Sequence, residues 1–411
     1  MIKLFDNITL ERWCEVTLKI GVNLQKGQGL EIVCPVEKSE VAEALTKKAY
    51  EFGASIVRVR WNCNKTDRLN YLYADKSVLC DIPKWFVDSK NDLVERDFCY
   101  LAITCEDPNC FDGVSPQTLG AVNQAKSKAL RKYFNAVTSN KIRWCVASVP
   151  DKAWAKTVFP NTENAEELLT DAIAKTMRID NENPLKEWET HVSTLQKRAD
   201  YLNKMNFEYL RFTNGLGTDL KVGLCKNHVW QSAKERAQDG LDFIANLPTE
   251  EIFTAPHKDK VDGVVYSAKP LIFNGSLIDQ FSLTFKKGKV VKYSAKVGYD
   301  NLTALLSLDK GMLRLGEVAL IGKNSPIAKS GILFYNTLFD ENASCHLALG
   351  KSYPTTIKDG ESLTLKELKQ LGANDSIEHE DFMIGTPDLT VTGITKDGKS
   401  LTLFVDGEWT I

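Results

Sequence analysis

The chain holds only five histidines, and two of them, His346 and His379, stand in stretches dense with carboxylates. In His379-Glu380-Asp381, extended backbone would turn His379 and Asp381 to one face and Glu380 to the other, so an imidazole and a carboxylate could share one cation. Taken alone, the surrounding DSIEHED reads equally well as a solvated turn. FDENASCHLALG (Phe339 to Gly350) is more specific, because Asp340, Glu341 and His346 lie among small and apolar residues, where a charge needs a partner or a metal. Its bland alternative is two surface acids beside a core histidine. In NLPTEEIFTAPH, Glu250 and Glu251 follow a proline turn and precede an apolar run; they could instead cap a helix begun by Thr249. Glu317 is the single carboxylate of LGEVALIG, a short apolar strand bounded by glycines. Two histidines with several carboxylates suit borderline to hard divalent ions. A pair of such ions does hydrolytic chemistry, lowering the pKa of a water and polarising the carbonyl under attack.

Elements to position these residues are legible on both sides. At the N-terminus, Asn7 reads as the N-cap of an amphipathic helix with Leu10, Trp13, Cys14 and Leu18 at helical spacing. GLEIVCPV (29–36) is an apolar strand, Ser39 to Phe52 a helix closed by Gly53, and SIVRVRW (55–61) an alternating strand. FCYLAIT (98–104) and RWCVASV (143–149) are further strands, with a helical stretch from Gln117 to Asn135 between them. Strands alternating with helices predict a mainly parallel sheet covered on both faces. No GxGxxG follows the first strand, so no nucleotide site is expected. A polar helical connection runs from about Glu163 to Met205. Beyond it come short strands punctuated by FNGS, KKGK and KDGK, which predict an antiparallel curved sheet or barrel with a few helices. The expected division is an α/β domain over residues 1–200, including the connecting helices, and an α+β domain over residues 201–411 that carries the metal site.

Composition narrows the class. At 411 residues the chain is long enough for two cores, and 43% hydrophobic with 26% charged residues is ordinary for a globular protein. Lysine plus arginine (52) nearly balances aspartate plus glutamate (54), leaving no basic footprint for nucleic acid or an anionic membrane. No apolar stretch of transmembrane length occurs, and acidic and basic residues interrupt the first apolar run, so neither a span nor a signal peptide is expected. The ten cysteines are scattered without CxxC spacing, which reads as a reduced, cytoplasmic chain; Cys105 and Cys110 lack the second pair that a metal would need.

NLPTEEIFTAPH, LGEVALI, FDENASCHLALG with the SYP after it, and HEDFMIG resemble, in order and spacing, the motifs of the thermophilic-type metallo-aminopeptidases that include aminopeptidases T and S. GQGLEIVCPVEKSEVAEALTKKAYEFGASIVRVRW and PDKAWAKTVFP extend the resemblance over essentially the whole chain. It implies two divalent ions per chain (Zn, Co, Mn or Mg). Glu251 and His346 would hold the first, Glu341, His379 and Asp381 the second, and Glu317 would be shared. It also implies that Tyr353 stands beside the ions as a hydrogen-bond donor to the developing oxyanion. Glu250 would be the general base, or the group that receives the substrate's N-terminal ammonium. Short peptides would be cleaved from the N-terminus by a homodimer with a largely enclosed cavity. Two other readings use the same residues: a metallohydrolase of another amide or ester, and a non-catalytic metal-binding protein. A cysteine hydrolase built on Cys345 fits less well, because its neighbour His346 is adjacent in sequence and rarely positioned as its base.

Overall fold

The computed structural model describes residues 5–105, 107–273 and 276–411. Its first helix, Asn7–Val16, is capped one residue earlier than the sequence suggests, by the Asp6 carboxylate, which accepts a 2.7 Å bond from the Thr9 N–H. Trp13 and Cys14 are wholly buried, as their spacing requires. The chain divides into two units, Met1–His191 with Lys234–Pro248, and Val192–Ala233 with Thr249–Ile411.

The first unit is built on five parallel strands in the order Ile56–Asn62, Gly29–Pro35, Cys99–Thr104, Trp144–Ser148 and Asn246–Leu247. Leu30, Ile32, Leu101, Ile103, Cys145 and Ala147 form its buried middle, so these strands read as apolar runs. Ile56–Asn62 lies at the edge, and its residues are half-buried or exposed throughout, which is why its sequence admits Arg58 and Arg60. The expected helix from Gln117 to Asn135 is two helices, Pro116–Ala129 and Arg131–Thr138, broken where Leu130 turns into a cluster with Leu93, Phe98, Tyr133 and Ile142. No helix breaker marks that bend in the sequence.

The 22-residue helix Pro184–Met205 carries the chain from the first unit into the second. The second unit holds two antiparallel sheets. A nine-stranded sheet has as its core path Leu271–Phe273, Ser276–Lys286, Pro256–Tyr266, Asp219–Leu224, Tyr209–Thr213, Thr390–Ile394, Ser400–Val405 and Glu408–Trp409, with Lys289–Val297 paired to Ser276–Lys286. Among the described residues this path is open, which corrects the barrel alternative. KKGK and KDGK do form tight hairpins; Lys287 and Gly288 both have positive φ, the conformation that a two-residue turn needs to match strand twist. The FNGS turn falls on residues 274–275, outside the described residues.

The second sheet has four strands in the order Ile252–Thr254, Leu315–Leu320, His346–Gly350 and His379–Met383. Val318, Leu320, Leu347, Leu349 and Phe382 share one face, and the Phe382 ring packs 5.6 Å from that of Phe281 in the larger sheet. The other face carries the chemistry.

Candidate metal centre

Register decides which side chains meet. His346 pairs with Ala319 and Met383, Ala348 with Glu317 and Asp381, and Gly350 with His379. Directly opposed residues share a face, as do residues two apart on a strand, so Glu317, His346, His379 and Asp381 all project the same way. Glu380 lies on the reverse, as the alternation predicts. Glu251 enters from the segment just before Ile252–Thr254, where no helix forms, so the helix-capping alternative for Glu250 and Glu251 is excluded. Ala348 occupies the middle of the Glu317–Ala348–Asp381 row, leaving the space above it to the flanking side chains.

Two features of the Glu317 strand are local to Gly316. The pairing slips by one residue between Leu315 and Glu317, a β-bulge with Gly316 as the extra residue. A Cβ there would collide with the carbonyl oxygens of Gly350 and Lys351. The Lys351 oxygen is the acceptor for His379 Nδ1 at 2.6 Å, so the close approach permitted by glycine also holds that imidazole.

The resulting cluster consists of two overlapping triads, Glu251–Glu317–His346 and Glu317–His379–Asp381. His346 Nε2 lies 3.3 Å from Glu251 Oε2 and 3.4 Å from Glu317 Oε1. His379 Nε2 lies 3.4 Å from Asp381 Oδ1 and 3.7 Å from Glu317 Oε2. Glu317 thus turns one oxygen to each histidine. His346 Nδ1 faces the Ser344 carbonyl at 3.4 Å, and His379 Nδ1 faces that of Lys351. A carbonyl only accepts, so each Nδ1 bears a proton and each Nε2 points into the carboxylates, the arrangement that prepares an imidazole to ligate.

Glu317 and His346 are 4% and 1% exposed, so their charges have little access to water. Burial pushes the Glu317 carboxyl up, though a bond to His346 opposes the rise. Glu341 is pushed well above the usual range by burial first and then by Glu251 and Asp381, which places it within the field of the cluster although its oxygens belong to neither triad. Burial alone would depress both imidazoles. The facing carboxylates outweigh it, raising His346 well above its ordinary value and His379 to about 10. Asp381 goes the other way, because His379 and His346 outweigh its burial and hold its carboxyl low. Even so, Asp381 Oδ1 is buried without a hydrogen-bond partner. Three carboxylates facing two Nε2 atoms, with Glu341 in their field and one Asp381 oxygen left unsatisfied, fit cations better than protons.

Tyr353 lies beside the cluster, and Glu250 directly precedes Glu251 in the chain. The Tyr353 ring lies 4.6 Å from that of His379; although the residue as a whole is 44% exposed, desolvation of its phenol beside the carboxylates Glu317 and Asp381 pushes it up, so it remains a donor at neutral pH. Glu250 is buried and its N–H donates to Asn342 Oδ1 at 2.7 Å. The remaining histidines are engaged elsewhere: His191 with Arg178, His228 with the Cys225 carbonyl, and His257 with the Asp259 N–H. Burial raises the Cys345 thiol to about 12, and the thiol donates to the Ile321 carbonyl, which leaves it a poor nucleophile. Gly316, Ala348 and Asn342 are not legible as site residues in the sequence. Glycines bounding the Glu317 strand were the only signal for the first, and neither alanine nor asparagine carries one by type.

A sheet face that carries His346, His379, Glu317 and Asp381, with Glu251 entering beside them, has the donor set of proteins organised around divalent cations. The chain belongs to the thermophilic metalloprotease family M29, whose model matches residues 6–409. It is 41% identical to aminopeptidase 2 of Geobacillus stearothermophilus over 402 residues, covering 97% of each chain. The structure of wild-type AmpT from Thermus thermophilus matches with a TM-score of 0.90 and 34% identity, over 98% of this chain and 99% of that one. A 2,5-dihydroxypyridine dioxygenase from Pseudomonas putida KT2440 matches with a TM-score of 0.52 and 11% identity, over 99% of this chain and 98% of that one, and shares the fold alone. The fold therefore does not fix the chemistry; the side chains on it do. Among the described residues no helix is long and apolar enough to cross a membrane.

Proposed function

We propose that this chain is an aminopeptidase that releases N-terminal residues from short peptides, using two divalent ions held by Glu251, Glu317, Glu341, His346, His379 and Asp381. The observation that carries the reading is the split of Glu317, one oxygen toward His346 and the other toward His379, at the join of two triads. Charge supports it as well: the four carboxylates match the four positive charges of two divalent ions, with both imidazoles neutral.

Bound ions would supply Lewis acidity, lowering the pKa of a water and polarising the scissile carbonyl. The chain's own groups do the rest. Tyr353, kept protonated, donates to the oxygen that gains charge as the carbonyl is attacked. Glu250 takes a proton from the water or pairs with the substrate's ammonium. Burial of the cluster favours small, flexible substrates over folded proteins. The homodimer that the family resemblance implies, and the cytoplasmic location read from the scattered cysteines and the interrupted first apolar run, belong to the same proposal; sedimentation tests the first.

The test uses Leu-p-nitroanilide and its N-acetylated form. Chelation is expected to abolish cleavage, and Co, Zn, Mn or Mg to restore it, with the free amine strongly preferred. Equal cleavage by stripped and loaded protein refutes the metal reading. Equal cleavage of both substrates favours a general amide hydrolase.

A further inference from the structure

Asn342 is fully buried, in the 3-10 turn Glu341–Ala343, and it is not a member of either triad. Its side chain reaches two segments that meet nowhere in sequence. Oδ1 accepts from the Glu250 N–H at 2.7 Å, and Nδ2 donates to the Leu338 carbonyl at 3.2 Å and to Glu341 Oε1 at 3.4 Å. The orientation of the amide is fixed by its partners, since an N–H needs an acceptor and a carbonyl needs a donor. One planar amide thus ties the backbone that carries Glu250 and Glu251 to the turn that carries Glu341.

We propose that Asn342 is a positioning residue of the metal centre, setting the placement of Glu250 and Glu251 relative to Glu341. The inference rests on the reading of the cluster as a metal centre. Glu251 precedes its strand in irregular backbone, so the ladder that fixes Glu317, His346, His379 and Asp381 does not extend to it. Asn342 supplies the missing constraint. Partners of this kind orient ligands, and removing one costs about 10- to 100-fold in metal affinity or activity.

The experiment compares wild type, Asn342→Ala, Asn342→Asp and Asn203→Ala, the last as a control for loss of a structural amide. Asn203 holds the backbone of Trp230 through bonds of 2.8 and 3.1 Å and has no part in the cluster. Each protein is loaded with Co2+, and the Co2+ affinity, the visible spectrum, kcat and KM are measured at a temperature where it is folded. Asn342→Ala is expected to weaken Co2+ binding about tenfold or more, alter the spectrum and lower kcat with KM nearly constant, whereas Asn203→Ala changes none of these. Asn342→Asp fits the same space and keeps the oxygen facing Glu250 but loses the donor. It is expected to lose kcat by about tenfold, and it decides the matter if the alanine variant does not fold. Wild-type spectrum, affinity and kcat in either Asn342 variant overturn the proposal. If wild type itself binds Co2+ without cleaving the peptide substrate, the aminopeptidase reading fails separately, and Co2+ affinity still judges Asn342.

Discussion

Glu317→Gln tests whether one carboxylate serves both halves of the centre. Its oxygens lie 3.4 Å from His346 Nε2 and 3.7 Å from His379 Nε2, so any cation held by either histidine sits within the field of the same charge. A unit charge pair about 4 Å apart at an effective dielectric near 20 is worth about 4 kcal/mol, or roughly a thousandfold in affinity. Glutamine keeps the shape and one oxygen, so binding should weaken by roughly 100- to 1,000-fold at both positions. Glu251→Gln should weaken the ion beside His346, and Asp381→Asn chiefly the one beside His379, since Asp381 Oδ1 lies 3.4 Å from His379 Nε2 and 3.8 Å from that of His346. Metal content after dialysis against calibrated metal buffers, with kcat on the same samples, reads all three variants. Melting adds a sign test. Glu317's carboxyl is raised, so the folded metal-free chain disfavours its charge, and the stability tied to its proton is lost as pH rises through the raised value. At pH 7, metal-free Glu317→Gln should therefore melt at or above wild type, and the loaded variant below it. If Glu317→Gln retains both ions at wild-type affinity, or loses only one, the shared-ligand reasoning is wrong.

Tyr353→Phe should lower kcat about 100-fold or more with KM and metal content little changed, as expected when one donor to an oxyanion is removed; a wild-type kcat would leave the tyrosine a packing role against His379. In the metal-free chain His346 is raised well above its ordinary value and His379 to about 10, so both are imidazolium at pH 7. Loading must free both Nε2 atoms and should release about two protons, with affinity rising as pH rises; calorimetry in buffers of different ionisation enthalpy counts them, and no release contradicts the assignment. Ala348→Val inserts bulk between Glu317 and Asp381 and should cost about 1–3 kcal/mol of stability together with metal affinity; normal Co2+ binding by this variant would show that the row needs no small residue. Burial pushes Asp151 up, but Lys38 at 3.0 Å outweighs it and holds the carboxyl low. Its stabilisation is present above the usual carboxylate pKa and fades as pH falls through the lower folded value, so Asp151→Asn should flatten the acid limb of stability against pH.

Apolar runs separated by helical spacing specified the parallel sheet, because strands buried on both faces must be apolar throughout. The alternation of His379, Glu380 and Asp381 specified which two share a face, since that follows from a backbone period of two. Motif resemblance gathered Glu251, Glu317, Glu341, His346, His379 and Asp381, and the structure sets five of them in two triads joined at Glu317, with Glu341 outside both. Other features arise only in three dimensions. The bulge at Gly316 appears when two strands pair, and the bend at Leu130 when a helix meets a core cluster with no glycine or proline to announce it. Asn342 joins segments 92 residues apart, and a buried amide looks the same in sequence as an exposed one. Local periodicity travels with the chain, whereas register, burial and the sharing of one carboxylate between two histidines depend on which distant backbone lies alongside.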